Sequence, residues 1–181
     1  MTETMEYWAA EELGESELSN LHACEGKIAY NFRDLRFLHQ ALTHSSIKTL
    51  ENPSNERLEF LGDSVLGLVM TEFLYNFFQQ HNEGDLTQIK SVVVSTNVLA
   101  AESQRLGLGE HYNVGKGVTR RKKLPNSLLA NVFEAVVAAM DRNMLSSSVQ
   151  QNASGVLLNL SASGADAQSS IVQAGGIESI V

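Results

Sequence analysis

Apolar residues recur at helical spacing along most of the first 140 residues, and no segment shows the alternation typical of a strand. The stretch YNFRDLRFLHQALTHSS predicts a helix that Asp34 caps and the polar residues THSS close. The predicted helices cover about residues 21–44 (as a helix, a turn and a helix), 55–79, 85–106 and 126–140. The glycine-rich segment LGLGEHYNVGKGVTRRKKL is predicted to be a loop. The pattern therefore predicts an all-α bundle.

Three acidic residues interrupt the apolar pattern of the segment NERLEFLGDSVLGLVM. Glu56, Glu59 and Asp63 have the spacing i, i+3 and i+7, so a helix places all three on one face. Like charges at this spacing repel one another, and their burial is costly unless a cation neutralises them. A solvated acidic stripe is the usual alternative, and the density of apolar residues around the acids makes a cation site an equally good interpretation.

The helix predicted over residues 126–140 supplies two more oxygen-bearing side chains. Asn131 and Glu134 lie three residues apart among apolar neighbours, so they share a face that is otherwise buried. Two helices that each direct oxygen ligands inward are a common way to build a divalent-metal site in a bundle. A ligand set of oxygens, without Cys or a nearby His, favours Mg²⁺ or Mn²⁺ over Zn²⁺ and suits phosphodiester hydrolysis.

Composition narrows the class of protein. Hydrophobic residues make up 43% of the 181 residues and charged residues 19%, as in a globular protein with a real core. The longest apolar runs, residues 65–70 and 135–140, are too short to span a bilayer, which argues against a membrane partner. The single Cys24 excludes an internal disulfide, and the N-terminus resembles no targeting signal. These features predict a cytoplasmic protein.

Charge is distributed unevenly along the chain. The net charge is −8, and residues 1–24 form a predicted acidic leader without Lys or Arg. All 13 Lys and Arg residues lie between Lys27 and Arg142, where they slightly outnumber the acids. The overall negative charge therefore does not exclude a nucleic-acid partner.

Five ordered blocks of sequence over about residues 25–140 resemble the ribonuclease III family. They are LTHSS, NERLEFLGDSVLG, EGDLTQIKSVVVSTNVLA, LGLGEHYNVGKG and NSLLANVFEAVVAA. The resemblance implies an all-α endonuclease domain over residues 25–143 that works as a homodimer and cleaves double-stranded RNA with Mg²⁺. It also implies products with 5′-phosphate and 3′-hydroxyl ends, as expected of an enzyme of RNA processing such as ribosomal RNA maturation.

The resemblance also implies roles for individual residues. Glu59, Asp63, Asn131 and Glu134 fall on metal-ligand positions, and Asp63 and Glu134 are the expected catalytic acids. Glu56 falls on a signature acid of the dimer- and RNA-facing surface. The family most often has Asp where this chain has Asn131, so weaker Mg²⁺ affinity is expected. His44 and His111 lie near the motifs and are assigned no role.

No double-stranded-RNA-binding domain follows the nuclease-like segment, so the affinity for a duplex must come from the nuclease domain or from a partner. The candidate phosphate contacts are the basic residues of the glycine-rich segment, although a solvated loop is an equally good interpretation of each one alone. They are Lys116, Arg120, Arg121, Lys122 and Lys123.

Residues 144–181 change in character and are rich in Ser, Ala and Gly. From about Val149 they resemble a single armadillo repeat, which cannot bury its own hydrophobic face. The tail is predicted to pack on the nuclease domain, to hang loose, to recruit a protein partner, or to reflect a fused gene model.

Two functions of different classes are consistent with this sequence. The first is a metal-dependent endoribonuclease, which the presence of Glu59, Asp63 and Glu134 together favours. The second is a catalytically weak or silent nuclease-fold protein that binds structured RNA or a ribosome, which Asn131 and the unusual tail favour.

Overall fold

A computed structural model describes residues 13–50, 52–119 and 123–143, and every structural statement below concerns these residues. The helices are α1 (Glu15–Ile28), α2 (Leu35–Ala41), α3 (Glu56–Phe77), α4 (Glu83–Val93), α5 (Thr96–Arg105), α6 (Leu108–His111), α7 (Lys116–Thr119) and α8 (Asn126–Asn143), with a 3₁₀ turn at Ser45–Ile47. Within the described ranges no strand is present, and one isolated bridge joins Thr43 and Asn113. The predicted all-α fold is confirmed.

Helix α8 lies at the centre of the core, where it packs against α3, α5 and α2. Every side chain from Ala135 to Met140 is fully buried, because neighbouring helices cover α8 on more than one side. A smaller core of Met70, Leu74, Ile89 and Val93 joins the end of α3 to α4. The central position of α8 holds Asn131 and Glu134 against the helix that carries Glu59 and Asp63.

The single helix predicted over residues 85–106 is wrong, because the structure has two helices there. Helix α4 ends at Val93, and Ser95, in an extended conformation (φ −69°, ψ 151°), is the N-cap of α5. The N-cap of α4 is Asn82, while the carboxylate of Asp85 completes the capping box. Gly107 follows α5 at φ +68°, a conformation that glycine adopts without strain.

Helix α1 begins inside the segment predicted to be an acidic leader. It buries Leu21, Cys24 and Ile28 in the main core, and the predicted boundary after residue 24 falls within this helix. Residues 1–12 and the tail 144–181 lie outside the described part of the chain, so the armadillo-like tail stays a prediction. None of the helices described is both long enough and apolar enough to cross a bilayer.

Candidate functional site

Helices α3 and α8 approach each other most closely at Gly62. A Cβ atom on Gly62 would overlap the backbone carbonyl group of Glu134 and lie 3.0 Å from its Cα atom. The absence of a side chain at this residue therefore allows the two backbones to touch. This contact brings Glu59 and Asp63, which flank Gly62, beside Asn131 and Glu134.

Three acidic side chains repel one another across the α3–α8 contact. Burial, together with the charges of Asp63 and Glu59, raises the pKa of Glu134 to about 7. Burial also raises the pKa of Glu59, although a side-chain hydrogen bond with Asn131 opposes the increase. Within the described part of the chain, no Lys or Arg side chain contributes to these pKa values, so nothing there offsets the negative charge.

Glu56 has different neighbours from the other two acids of α3. Its carboxylate accepts hydrogen bonds from Ser54 Oγ at 2.8 Å and from Lys48 Nζ at 3.2 Å. These hydrogen bonds lower the pKa of the exposed Glu56 side chain. The helix thus stacks three acids on one face as the spacing predicts, but only Glu59 and Asp63 interact with Glu134.

The four oxygen-bearing side chains, those of Glu59, Asp63, Asn131 and Glu134, are of the types that bind hard divalent cations. They offer three carboxylates and one amide oxygen, and all of these side chains are half-buried except the exposed Asp63. No three His, Cys, Asp or Glu side chains of the described chain already form a group that would hold a metal ion. The donor set therefore depends on the amide of Asn131 and on adjustment of the side chains around a bound ion.

Only part of the predicted basic cluster can be located. Lys116 begins the short helix α7 and Lys123 precedes α8, and both side chains are exposed. Arg120, Arg121 and Lys122 lie outside the described residues. The cluster as an RNA-binding surface stays a prediction.

The structure places residues beside the site to which sequence reasoning gave no role. A cavity of about 200 Å³ opens at Glu59 and Asn131, and His44, Asn55 and Tyr112 line its other side. Asn55 Nδ2 donates to Tyr112 Oη at 3.0 Å, and the rings of His44 and Tyr112 meet edge to face with centroids 5.8 Å apart. The position of His44 in the motif LTHSS was the only signal in the sequence.

Comparisons with known proteins agree with this fold. The profile of the family described as Ribonuclease-III-like matches residues 34–153. Ribonuclease 3 of Rhodopirellula baltica is 49% identical over 123 residues, which are 68% of this chain and 46% of that protein. Ribonuclease 3 of Symbiobacterium thermophilum is 42% identical over 120 residues, or 65% of this chain and 51% of that protein.

A solved structure is similar over most of the same region. The nuclease domain of ribonuclease III from Campylobacter jejuni superimposes with a TM-score of 0.69 at 32% identity, covering 77% of this chain and 94% of that domain. That structure was described for flexibility in a region involved in dimer formation. The present chain spans about half the length of the curated relatives that it matches.

Proposed function

The chain belongs to the ribonuclease-III-like family, and on this premise we propose that it is a divalent-metal-dependent endoribonuclease that cleaves double-stranded RNA. The observation that carries the proposal is the backbone contact of α3 with α8 at Gly62, which brings Glu59 and Asp63 beside Glu134, and the raised pKa of Glu134 agrees with it. A structural ion pair would instead bring a Lys or Arg side chain to these acids.

In the proposed mechanism, Glu59, Asp63, Asn131 and Glu134 hold Mg²⁺, or Mn²⁺ in its place. A bound divalent cation would activate water and stabilise the charge of the leaving oxygen. Because these side chains project from the packed helices α3 and α8, the protein would hold such an ion in a defined place. Water would attack the phosphorus atom and the bond to the 3′ oxygen would break, which leaves 5′-phosphate and 3′-hydroxyl ends.

We further propose that the enzyme is a homodimer formed through α3. Phe60 lies next to Glu59 with 80% of its surface exposed, and Leu68 and Phe73 on the same helix are also partly exposed. Large exposed apolar side chains can mark a protein interface. A cytoplasmic location and a role in RNA processing belong to the same proposal, as does a protein partner for the tail.

The direct test is incubation of the full chain with a labelled RNA duplex over a series of Mg²⁺ or Mn²⁺ concentrations. The series runs from roughly micromolar to millimolar, the range that divalent sites span. Discrete shorter duplexes are expected with either ion, and none after chelation with EDTA. A DNA duplex and single-stranded RNA of the same sequence serve as controls that are left uncut. Binding of the duplex without cleavage at every ion concentration would favour the alternative, a silent RNA-binding protein.

Asn131 is the feature that favours the weak or silent alternative. An amide at this site supplies an oxygen but no charge, and its NH₂ group can donate to Glu59. The substitution Asn131→Asp is expected to tighten the binding of Mn²⁺ by about 10-fold, because one more carboxylate faces the ion. Isothermal titration calorimetry without RNA measures this affinity.

The control for this substitution is Asn76→Asp, which adds the same charge to an exposed residue near the opposite end of α3. It should leave the affinity for Mn²⁺ unchanged. Equal affinities in the wild type and in the Asn131→Asp variant would mean that this residue does not face the ion.

A further inference from the structure

His44 is one of the residues that line the cavity beside the acidic pair, and its Nε2 atom forms no hydrogen bond with a described residue. We propose that His44 contacts the substrate, and that its Nε2–H group donates a hydrogen bond to a phosphate oxygen of the RNA next to the cleaved bond. The inference rests on the proposed ribonuclease function, because it names a residue that holds the RNA at the same site.

Hydrogen bonds define which nitrogen of the His44 ring carries the proton. The backbone N–H of Ser46 donates to Nδ1 of His44 at 3.0 Å, so Nδ1 is an acceptor and carries no hydrogen. Ser46 Oγ, 2.8 Å from the same Nδ1, accepts in turn from the backbone N–H of Gly115 at 2.8 Å. The neutral ring therefore has its hydrogen on Nε2.

The backbone around His44 is held on two sides, so this donor has a defined position. The N–H of His44 donates to the carbonyl oxygen of Asn113 at 2.9 Å, and the N–H of Asn113 donates to the carbonyl oxygen of Leu42 at 2.8 Å. The ring itself packs against the buried Tyr112. Such bracing reduces the entropy lost when a substrate binds.

Three other donor side chains near the cavity each already have one acceptor. The amide of Asn55 donates to Tyr112 Oη, the amide of Asn131 is paired with Glu59, and Lys48 is paired with Glu56. No hydrogen bond of His44 Nε2 exists within the described residues. An RNA backbone held at the acids by bound cations would bring phosphate oxygens toward this cavity, where the Nε2–H group of His44 can donate to one of them.

Two substitutions distinguish the role of Nδ1 from that of Nε2. His44→Asn keeps an acceptor that can cap the 3₁₀ turn at Ser46 but removes the distal donor, while His44→Gln keeps a distal N–H donor and loses the cap. We expect His44→Asn to have the same melting temperature as the wild type. Its kcat/KM on the duplex should fall by about 10- to 100-fold. His44→Gln should retain more activity than His44→Asn although it is less stable.

Duplexes with a single methylphosphonate linkage, which carries no negative charge, test the contact with one phosphate at a time. A purely structural role of His44 would not make the rate depend on one particular phosphate. Neutralising the phosphate that His44 contacts should lower kcat/KM of the wild type but should not change kcat/KM of His44→Asn. Wild-type activity in His44→Asn, or equal sensitivity of both proteins at every phosphate, would overturn the proposal. Duplexes with a single 2′-deoxy nucleotide test the ribose instead. If one such nucleotide slows the wild type but not His44→Asn, the contact is to a ribose hydroxyl, which would also overturn the proposal.

The same duplexes are also tested for binding in a Glu134→Gln background, so that the result does not depend on cleavage. If the wild type does not cleave RNA but binding depends on His44 at one phosphate, the proposed enzyme function fails and the contact stands. If the wild type cleaves RNA and neither readout depends on His44, the contact fails and the enzyme function stands. His22→Asn, the same substitution at an exposed histidine of α1, is the control and should behave as the wild type.

Discussion

Replacing Gly62 with alanine is expected to reduce the free energy of unfolding by about 3 kcal/mol or more. The new methyl group would overlap the backbone of Glu134, so α3 and α8 would have to move apart along their whole contact. A clash with a flexible side chain is relieved by rotation, but a clash with the backbone requires displacement of a helix. Urea denaturation followed by circular dichroism measures the loss.

Gly67→Ala is the matched control for this prediction. Gly67 lies in the same helix, and a Cβ atom built on it meets no other atom within 4 Å. Alanine there should stabilise the protein by about 0.5 to 1 kcal/mol, because glycine is the poorer residue inside a helix. Equal effects of the two substitutions would show that helix propensity, and not the contact between α3 and α8, determines the result.

A Gly62→Ala protein that still folds should also bind Mn²⁺ more weakly than the wild type. The displacement would separate Glu59 and Asp63 from Asn131 and Glu134, which approach one another only because the two backbones touch. Calorimetric titration of Gly62→Ala and Gly67→Ala at a temperature where both are folded separates this effect from the loss of stability. Wild-type affinity in the Gly62→Ala protein would place the ion away from the α3–α8 contact.

Replacing Glu134 with glutamine is expected to stabilise the metal-free protein at pH 8 by about 1 to 3 kcal/mol. Burial and the nearby acids raise the pKa of Glu134 to about 7, against an ordinary value of 4.5. The folded protein therefore binds the proton more tightly than the unfolded chain does. As the pH rises from about 4.5 through 7, the wild type loses stability that the neutral glutamine variant keeps.

The difference between the two proteins should disappear at pH 4, where Glu134 is protonated in both the folded and the unfolded states. Glu59, whose pKa is also raised, titrates in both proteins and so contributes little to the difference. Thermal unfolding in EDTA from pH 4 to 8 measures the effect, with the exposed Glu15→Gln as the control for the loss of one charge. A difference that does not depend on pH would contradict the assignment of this pKa.

Divalent cations should reverse the order of stability. Saturating Mn²⁺ is expected to raise the melting temperature of the wild type but to have little effect on Glu134→Gln, because an ion that binds only the folded state stabilises it. The same substitution should reduce RNA cleavage by about 100- to 1,000-fold. A variant that is more stable without metal and inactive with it would show that Glu134 is maintained for function at the expense of stability.

The helices and the candidate ligands were largely predictable from local patterns. The i, i+3 and i+7 spacing of Glu56, Glu59 and Asp63 places them on one face of any helix, and the structure has that helix over Glu56–Phe77. The break at Ser95 was missed because apolar residues on both sides of it continue a helical period. An N-cap in the middle of such a run has only a weak sequence signal.

Periodicity along the chain is sufficient to specify the all-helical class of this protein and the face of each helix that carries the acids, since both depend on residues within a few turns of one another. The pairing of Glu59 with Asn131 and the place of His44 beside Tyr112 depend on residues that are far apart in sequence. Only close packing of α3 on α8 at Gly62, and of the segment after α6 on residues 42–46, brings these groups together. Distance between side chains, which sets both pKa and hydrogen bonding, is a property of that packing.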